Sequence, residues 1–548
     1  MRIAILSNVN MDITIKDLSN KYEVFKADGY GGWIQNLVNN DLYSYNPNAI
    51  FVILDGEEFF GNINTLKEAE NEVEVYSNYI QDAVKDNPNI SFFISNFDIP
   101  CKRISVLKSN RNEMIFENCW YEKLRTLNDK YNNIYIFDIK NLINNIGRKN
   151  FYSDKLWYLG GIKYTLDSQK IIEDEIIKCI NALKGYRKKC LILDLDNTLW
   201  GGVVGEVGAK NISISDFNEG ARYKDFQRRI KELKDTGVIL AIASKNNLSD
   251  VKDVFYHNSD MVLKEEDFAA IKINWKSKVQ NIREISDELN IGLDSFVFID
   301  DNPVEREQVS SFLPEACVPD FPKDTSKLEQ FAIGLYSKYF FKLKILNEDL
   351  NKTQMYKQNK KRIQLKRSSK SLEEFLKQLN TVIKLWKAKY EDIPRISQLT
   401  QKTNQFNLTT KRYTESDIEN LMSDNSYDIY VASVQDKFGD NGKVLVIILK
   451  INGKNAYVDT FLMSCRVMER NIEFEVMRLI ENMLANKGCN MIFSCYNATK
   501  KNKPVEGFYE KSGYILTETD DSTKKYKKML CPNMNDLTVN SFSKLILL

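Results

Sequence analysis

The stretch CLILDLDNTLWGG, residues 190–202, runs four apolar residues, Cys190 to Leu193, directly into Asp194 and Asp196. The apolar run predicts a buried strand. A carboxylate is costly to bury unless it is paired, hydrogen-bonded or bound to a metal. Two of them, two residues apart where a strand runs out, predict a chemical site rather than a packing one.

Further along, three more polar sets follow apolar runs in order. VILAIAS (238–244) ends in Ser244; NWKSKVQNI (274–282) offers Lys276 and Lys278; FIDDNPVERE (298–307) offers Asp300 and Asp301. Ordered strands with helices between them predict a parallel sheet, and such sheets gather ligands at the carboxyl ends of their strands. The set suits phosphoryl transfer. Asp194 can attack phosphorus, and Asp196 can move the proton. Ser244 and Lys278, with Lys276 as the alternative, can hold the phosphoryl oxygens. Asp194 and Asp300 supply hard oxygen ligands for Mg²⁺.

DLDNTLWGGVVGEVG (194–208), ASKNN (243–247), NWKSKVQNI and FVFIDDNPVEREQV (296–309) resemble the haloacid dehalogenase (HAD) superfamily, in its FkbH-like branch, subfamily IIIC. The resemblance implies Asp194 as nucleophile, Asp196 as acid/base, Ser244 and Lys278 as phosphate holders, and an Mg²⁺ cofactor held among Asp194, Asp196, Asp300 and Asp301. The short spacing from Thr198 to Ser244 leaves room for only a minimal cap.

The rest of the chain reads as two further α/β domains. Residues 1–183 alternate short strands such as RIAILS (2–7) and AIFVILD (49–55) with longer charged segments. Their layout resembles SGNH hydrolases, with Ser7 after the first strand. SDKLWYLGG (153–161) has an aspartate but no histidine, and a serine without a base is a poor nucleophile. That domain is therefore expected to be inactive. The HAD-like domain spans 184–346, a basic helix or linker 347–380, a third α/β domain 381–530, and a patternless tail 531–548. The basic run YKQNKKRIQLKRSSK (356–370) reads as a solvated helix or linker rather than a nucleic-acid site.

TQKTNQFNLTTKRY (400–413), MSCRVMERNIE (463–473) and NATKKNKPVEGFYEKSGY (497–514) resemble the GNAT-like part of FkbH-like proteins. The expected glycines of the diphosphate loop are replaced by Glu469 and Asn471, so free acetyl-CoA suits it poorly. A carrier's phosphopantetheine remains compatible, with Arg466 and Asn502 as candidate groove residues and Cys465, or else Cys495, as candidate acyl thiol. FkbH-like proteins are associated with 1,3-bisphosphoglycerate and with passing its glyceryl group to an acyl carrier protein, as in polyketide biosynthesis. The resemblance implies that activity. The alternatives are a plain phosphatase and an N-acyltransferase with a vestigial phosphatase domain.

Bulk properties fit these readings. At 548 residues, about three or four domains are expected. The 77 Lys and Arg nearly balance the 75 Asp and Glu, so no net field favours nucleic acid or membrane. The nine cysteines form no C-x-x-C pair, which suggests reduced cytoplasmic thiols. No signal peptide and no membrane span are expected. The single histidine, His257, would have to serve any Ser-His-Asp or His-ligated site, and it reads as a helix-end residue.

Overall fold

The computed structural model describes residues 1–25, 27, 29, 31–61, 63, 65–100, 112–345, 352–520, 522–531 and 543–548. The chain is a multi-domain α/β protein with two parallel sheets and one mixed sheet. It divides into two compact units: residues 1–183 with 414–417, and residues 184–413 with 418–548.

In the first unit, β1 (Arg2–Ser7), β2 (Glu23–Phe25), β3 (Ala49–Ile53), β4 (Ser91–Ser95) and β5 (Ile134–Phe137) form a parallel sheet ordered β2-β1-β3-β4-β5. β3 and β4 are buried at every position, which is why they read as continuous apolar runs.

The second unit holds the other two sheets. The first contains β6 (Cys190–Leu193), β7 (Ile239–Ser244), β8 (Phe268–Ile273) and β9 (Phe296–Ile299), ordered β8-β7-β6-β9 and all parallel. MVLK (261–264), which reads as a short strand, is not one; FAAIKI (268–273) takes that place. The buried Gln227 side chain accepts the backbone N–H groups of Val262 and Leu263, both at 3.1 Å, so this segment's donors are used without a strand neighbour.

The mixed sheet comprises β10 (Thr381–Lys387), β11 (Phe406–Asn407), β12 (Tyr427–Asp436), β13 (Gly439–Asn452), β14 (Asn455–Met463), β15 (Met491–Asn497), β16 (Ile515–Thr519), β17 (Thr523–Met529) and β18 (Ser543–Leu547). The tail, patternless in sequence, supplies β18, parallel to β10; residues 532–542 lie outside the described residues. β14 and β15 pair in parallel only over Asn455–Tyr457 and Met491–Phe493. Beyond that, β11 pairs with the end of β14. Leu408 then donates its N–H to Phe461 O (3.1 Å) and accepts from Asn497 N (2.8 Å).

The basic run is no solvated linker. Its helix, Lys352–Ser368, buries Arg362 to 2% exposure, where the guanidinium bonds Asp436 at 2.7 and 2.9 Å. Arg470 bonds the same carboxylate at 3.0 Å. Lys357 caps Glu266 O at 2.7 Å, and Lys366 pairs with Glu469, so the helix ties the four-stranded sheet's surroundings to the mixed sheet.

Candidate active site

At the carboxyl edge of the four-stranded sheet, β6 delivers Asp194, β7 ends in Ser244, and β9 runs into Asp300 and Asp301. Lys278 begins the helix Lys278–Leu289, which Ser277 caps through its hydroxyl at Gln280 N. These residues line one cleft of ≈ 180 Å³ together with Asp196, Asn197, Lys245, Asn246, Asn302 and Glu305. Ser244, Lys278 and Asp300 are at most 2% exposed. Lys276, the alternative cation, points elsewhere: it is half-exposed and pairs with Glu284 at 2.8 Å.

The electrostatics are those of crowded acids. Lys278 Nζ lies 2.5 Å from Asp194 Oδ1 and 2.9 Å from Asp300 Oδ2. Neither carboxylate oxygen has a partner besides that ammonium. Burial opposes the Lys278 charge, but the two acids outweigh it and its pKa is raised. Asp300 is raised by burial and by Asp194, against the pull of Lys278. Asp301 is pushed up to about 6, chiefly by burial and then by Asp300 and Asp194.

Oxygens of Asp194, Asp300 and Asp301 lie within 4.8 Å of one another. Three acids gathered against one ammonium, Lys278, leave an excess of negative charge that fits a divalent cation. Asp196 does not join this group. Its Oδ1 accepts from Trp200 Nε1 (2.9 Å) and Val204 N (3.1 Å), and its Oδ2 accepts from Asn246 Nδ2 (3.0 Å). The Asp196 carboxylate, expected among the metal ligands, thus stands apart from the three-acid cluster and is held by donors instead.

Trp200, Val204 and Asn246 escaped the sequence reading. Trp200 stands four residues after Asp196 and Asn246 two after Ser244, inside stretches already singled out, yet only the folded loops reveal their bonds. Asn246 Nδ2 also lies 3.2 Å from Ser244 Oγ, which leaves the serine proton free for a ligand.

The expected groove of the third domain looks different. Residues 406–408 bridge the splay between β14, which leads to Cys465, and β15, which carries Cys495. Asn502, a candidate groove residue, is fully buried: its Nδ2 donates to Asn407 O and Asn497 O, and its Oδ1 accepts from Tyr496 and Thr499. All its polar capacity braces the loop, so it is not free to hold a cofactor. Arg466 bonds Ser464 Oγ and Met355 Sδ rather than Cys465. Glu469 and Asn471 take the left-handed conformation, φ 63° and 60°, that glycine would favour there.

Cys465 Sγ lies 3.9 Å from Asn290 O, beyond the last turn of the 12-residue helix that Lys278 begins. At 1.5 Å per residue, this is about 18 Å along the helix from the phosphate-holding end. Cys495 lies on β15, where burial raises its thiol pKa.

In the first unit, Ser7 is buried and its Oγ accepts from Val9 N at 3.1 Å. Lys163, only 4% exposed, reaches Asp55, Glu57 and Glu58 at 3.5, 2.7 and 2.9 Å. His257 is exposed at the end of the helix Leu248–His257. Among the described residues, no helix is long and apolar enough to cross a membrane.

No sequence-family model matches the chain, and no curated relative matches it. Among solved structures it is similar to the N-terminal part of the protein BF1531 from Bacteroides fragilis, containing a phosphatase domain and complexed with Mg. That similarity is 27% identity over 63% of this chain and 94% of that one, with a TM-score of 0.57. Two N-acetyltransferases match shorter parts. The ribosomal-protein-S18-alanine enzyme of Escherichia coli is 10% identical over 29% of this chain and 99% of its own, with a TM-score of 0.23. The PaiA enzyme of Thermoplasma acidophilum, in complex with coenzyme A, is 17% identical over 27% and 98%, with a TM-score of 0.22. The chain thus pairs similarity to an Mg-complexed phosphatase domain with a cleft of converging acids, Ser244 and Lys278.

Proposed function

We propose that the chain is an Mg²⁺-dependent, FkbH-like enzyme of the HAD superfamily. It removes phosphate from a 1,3-bisphosphoglycerate-type donor and loads the glyceryl group onto an acyl carrier protein thiol. The observation that carries the phosphatase half is the meeting of Asp194, Ser244, Lys278, Asp300 and Asp301 at one sheet edge.

Asp194 attacks the ester phosphorus, forming an aspartyl-phosphate as the bond to the sugar-acid oxygen breaks. Ser244 and Lys278 hold the phosphoryl oxygens through both steps. Asp196 hands a proton to the leaving oxygen and takes one from the water that cleaves the intermediate. Asp194, Asp300 and Asp301 would hold Mg²⁺, which supplies positive charge against the phosphoryl oxygens. At the acyl phosphate end, a thiolate attacks the carbonyl carbon, the C–S bond forms, and inorganic phosphate leaves.

A carrier-borne substrate is supported by exposed apolar residues adjoining the cleft. Trp275, whose Nε1 bonds Asn247, is 71% exposed, Leu248 47% and Val304 61%. A plainer reading, phosphatase without acyl transfer, is favoured by the bridged β14–β15 splay and by the distance of Cys465 from Lys278. The intact acids weigh against a vestigial phosphatase domain.

Intact-protein mass spectrometry with 1,3-bisphosphoglycerate and a holo carrier separates these. A glyceryl adduct on the carrier is the expected result. A transient glyceryl mass on the Cys465 peptide would assign transfer through that thiol, and its absence with a loaded carrier would assign direct transfer. Free phosphate with no adduct anywhere would leave only the plain phosphatase.

A further inference from the structure

We infer that the loop following Asp194 is a positioning device for Asp196, with Trp200 and the Val204 backbone N–H as its two working donors. The inference rests on the phosphatase reading above and deepens it, since it names what aims the proton-transfer residue.

Asp196 Oδ1 receives both donors, from Trp200 Nε1 at 2.9 Å and Val204 N at 3.1 Å. Neither donor can reverse into an acceptor, so Oδ1 is held from two directions and only Oδ2 is left to face the cleft beside Asn246.

The loop itself is over-determined. Trp200 is fully buried, edge-on to Phe255 at 6.4 Å and 81°. Gln227 Nε2 bonds Leu199 O at 2.7 Å, and Asn197 Oδ1 accepts from Gly202 N at 2.8 Å. A Cβ at Gly201 would stand 2.8 Å from the Tyr223 ring and 2.9 Å from Ser213 Cβ, so the turn is seated without slack. An indole this deeply packed has no conformational freedom to lose when its N–H orients a carboxylate. A misplacement of about 1 Å in a reacting group can cost roughly 100-fold in rate. Trp200 and Val204 are thus positioning residues, acting through Asp196.

The test uses the full chain with Mg²⁺, p-nitrophenyl phosphate and 1,3-bisphosphoglycerate. Trp200→Phe removes one donor. Val204→Pro removes the other at the first residue of a short helix, after an extended Val203 (φ −99°, ψ 113°), where proline is tolerated. Each should lower kcat about 10- to 100-fold with KM within about two-fold, and neither should lower it further in an Asp196→Asn background. Wild-type kcat in both variants, with Asp196→Asn slow, would overturn the inference and leave the phosphatase reading standing. Equal losses in both backgrounds would reduce Trp200 and Val204 to structural residues and overturn it too. If Trp200→Phe does not fold, Val204→Pro decides alone. Wild-type turnover by Asp196→Asn, or none of either substrate by the wild type, would sink both readings.

Discussion

Asp194 and Asp196 share a motif but not an environment, and their variants should fail differently. Asp194 contacts Lys278 and belongs to the acid cluster, so Asp194→Asn should abolish phosphate release, because an amide cannot attack phosphorus. Asp196→Asn should bind substrate normally and turn over roughly 10²- to 10⁴-fold more slowly. Steady-state kinetics on preparations free of contaminating phosphatase check both. Glu473 makes a separate prediction. It is buried at the start of the helix Ile472–Asn486, with Oε2 unpartnered, and burial, with Glu469 and Glu475 nearby, pushes it up to about 7. A raised carboxyl binds its proton more tightly folded than unfolded, so stability should fall as pH rises from about 4.5 to 7. Glu473→Gln should flatten that slope and add about 1–3 kcal/mol above pH 7, read from urea melts across pH. The acids of the cleft were legible because Asp-x-Asp after an apolar strand is a local pattern. Trp200, Val204 and Asn246 were not, since their bonds depend on how loops fold back.

At the scale of elements, the helix Lys352–Ser368 shows where hydropathy misleads. Its packed face mixes Arg362 with Met355, Tyr356 and Leu365, so no clean apolar stripe marked it as packed. Arg362 and Arg470 together hold Asp436, whose carboxyl is lowered although burial opposes it. Arg362→Met leaves Asp436 one buried cation, Arg470, beside the neutral donors Asn441 Nδ2 and Phe438 N–H, and should cost somewhat less than the roughly 3–5 kcal/mol of breaking a buried pair outright. Chemical denaturation of the full chain, with Arg362→Lys as a partial rescue, measures it. β18 was hidden for a related reason: SKLIL becomes a strand because β10 offers it an edge, which no local signal announces. The parallel strands β3, β4, β6, β7 and β9 were legible because burial on both faces leaves an unbroken apolar run.

Across the whole molecule, the converging acids, Ser244 and Lys278 lie at the edge of the four-stranded sheet, while the sheet edge in the first unit carries an ion cluster around Lys163. Ser7 there has no histidine to activate it, so Ser7→Ala should leave phosphate release unchanged and a fluorophosphonate probe should not label the wild type at Ser7. The acid cluster makes the last prediction. Asp194, Asp300 and Asp301 crowd three carboxyls around one lysine, and folding without a cation must tolerate that repulsion. Mg²⁺ that binds only the folded chain should therefore stabilise it, by about 2.7 kcal/mol at a hundredfold excess over Kd. Chelation with EDTA should reverse the gain and stop phosphate release together. In Asp300→Asn/Asp301→Asn the Mg²⁺-dependent rise in Tm should vanish, while the metal-free Tm should increase, because the repulsion is gone. A full Mg²⁺ shift in that double variant would place the cation elsewhere and remove Asp300 and Asp301 from the site.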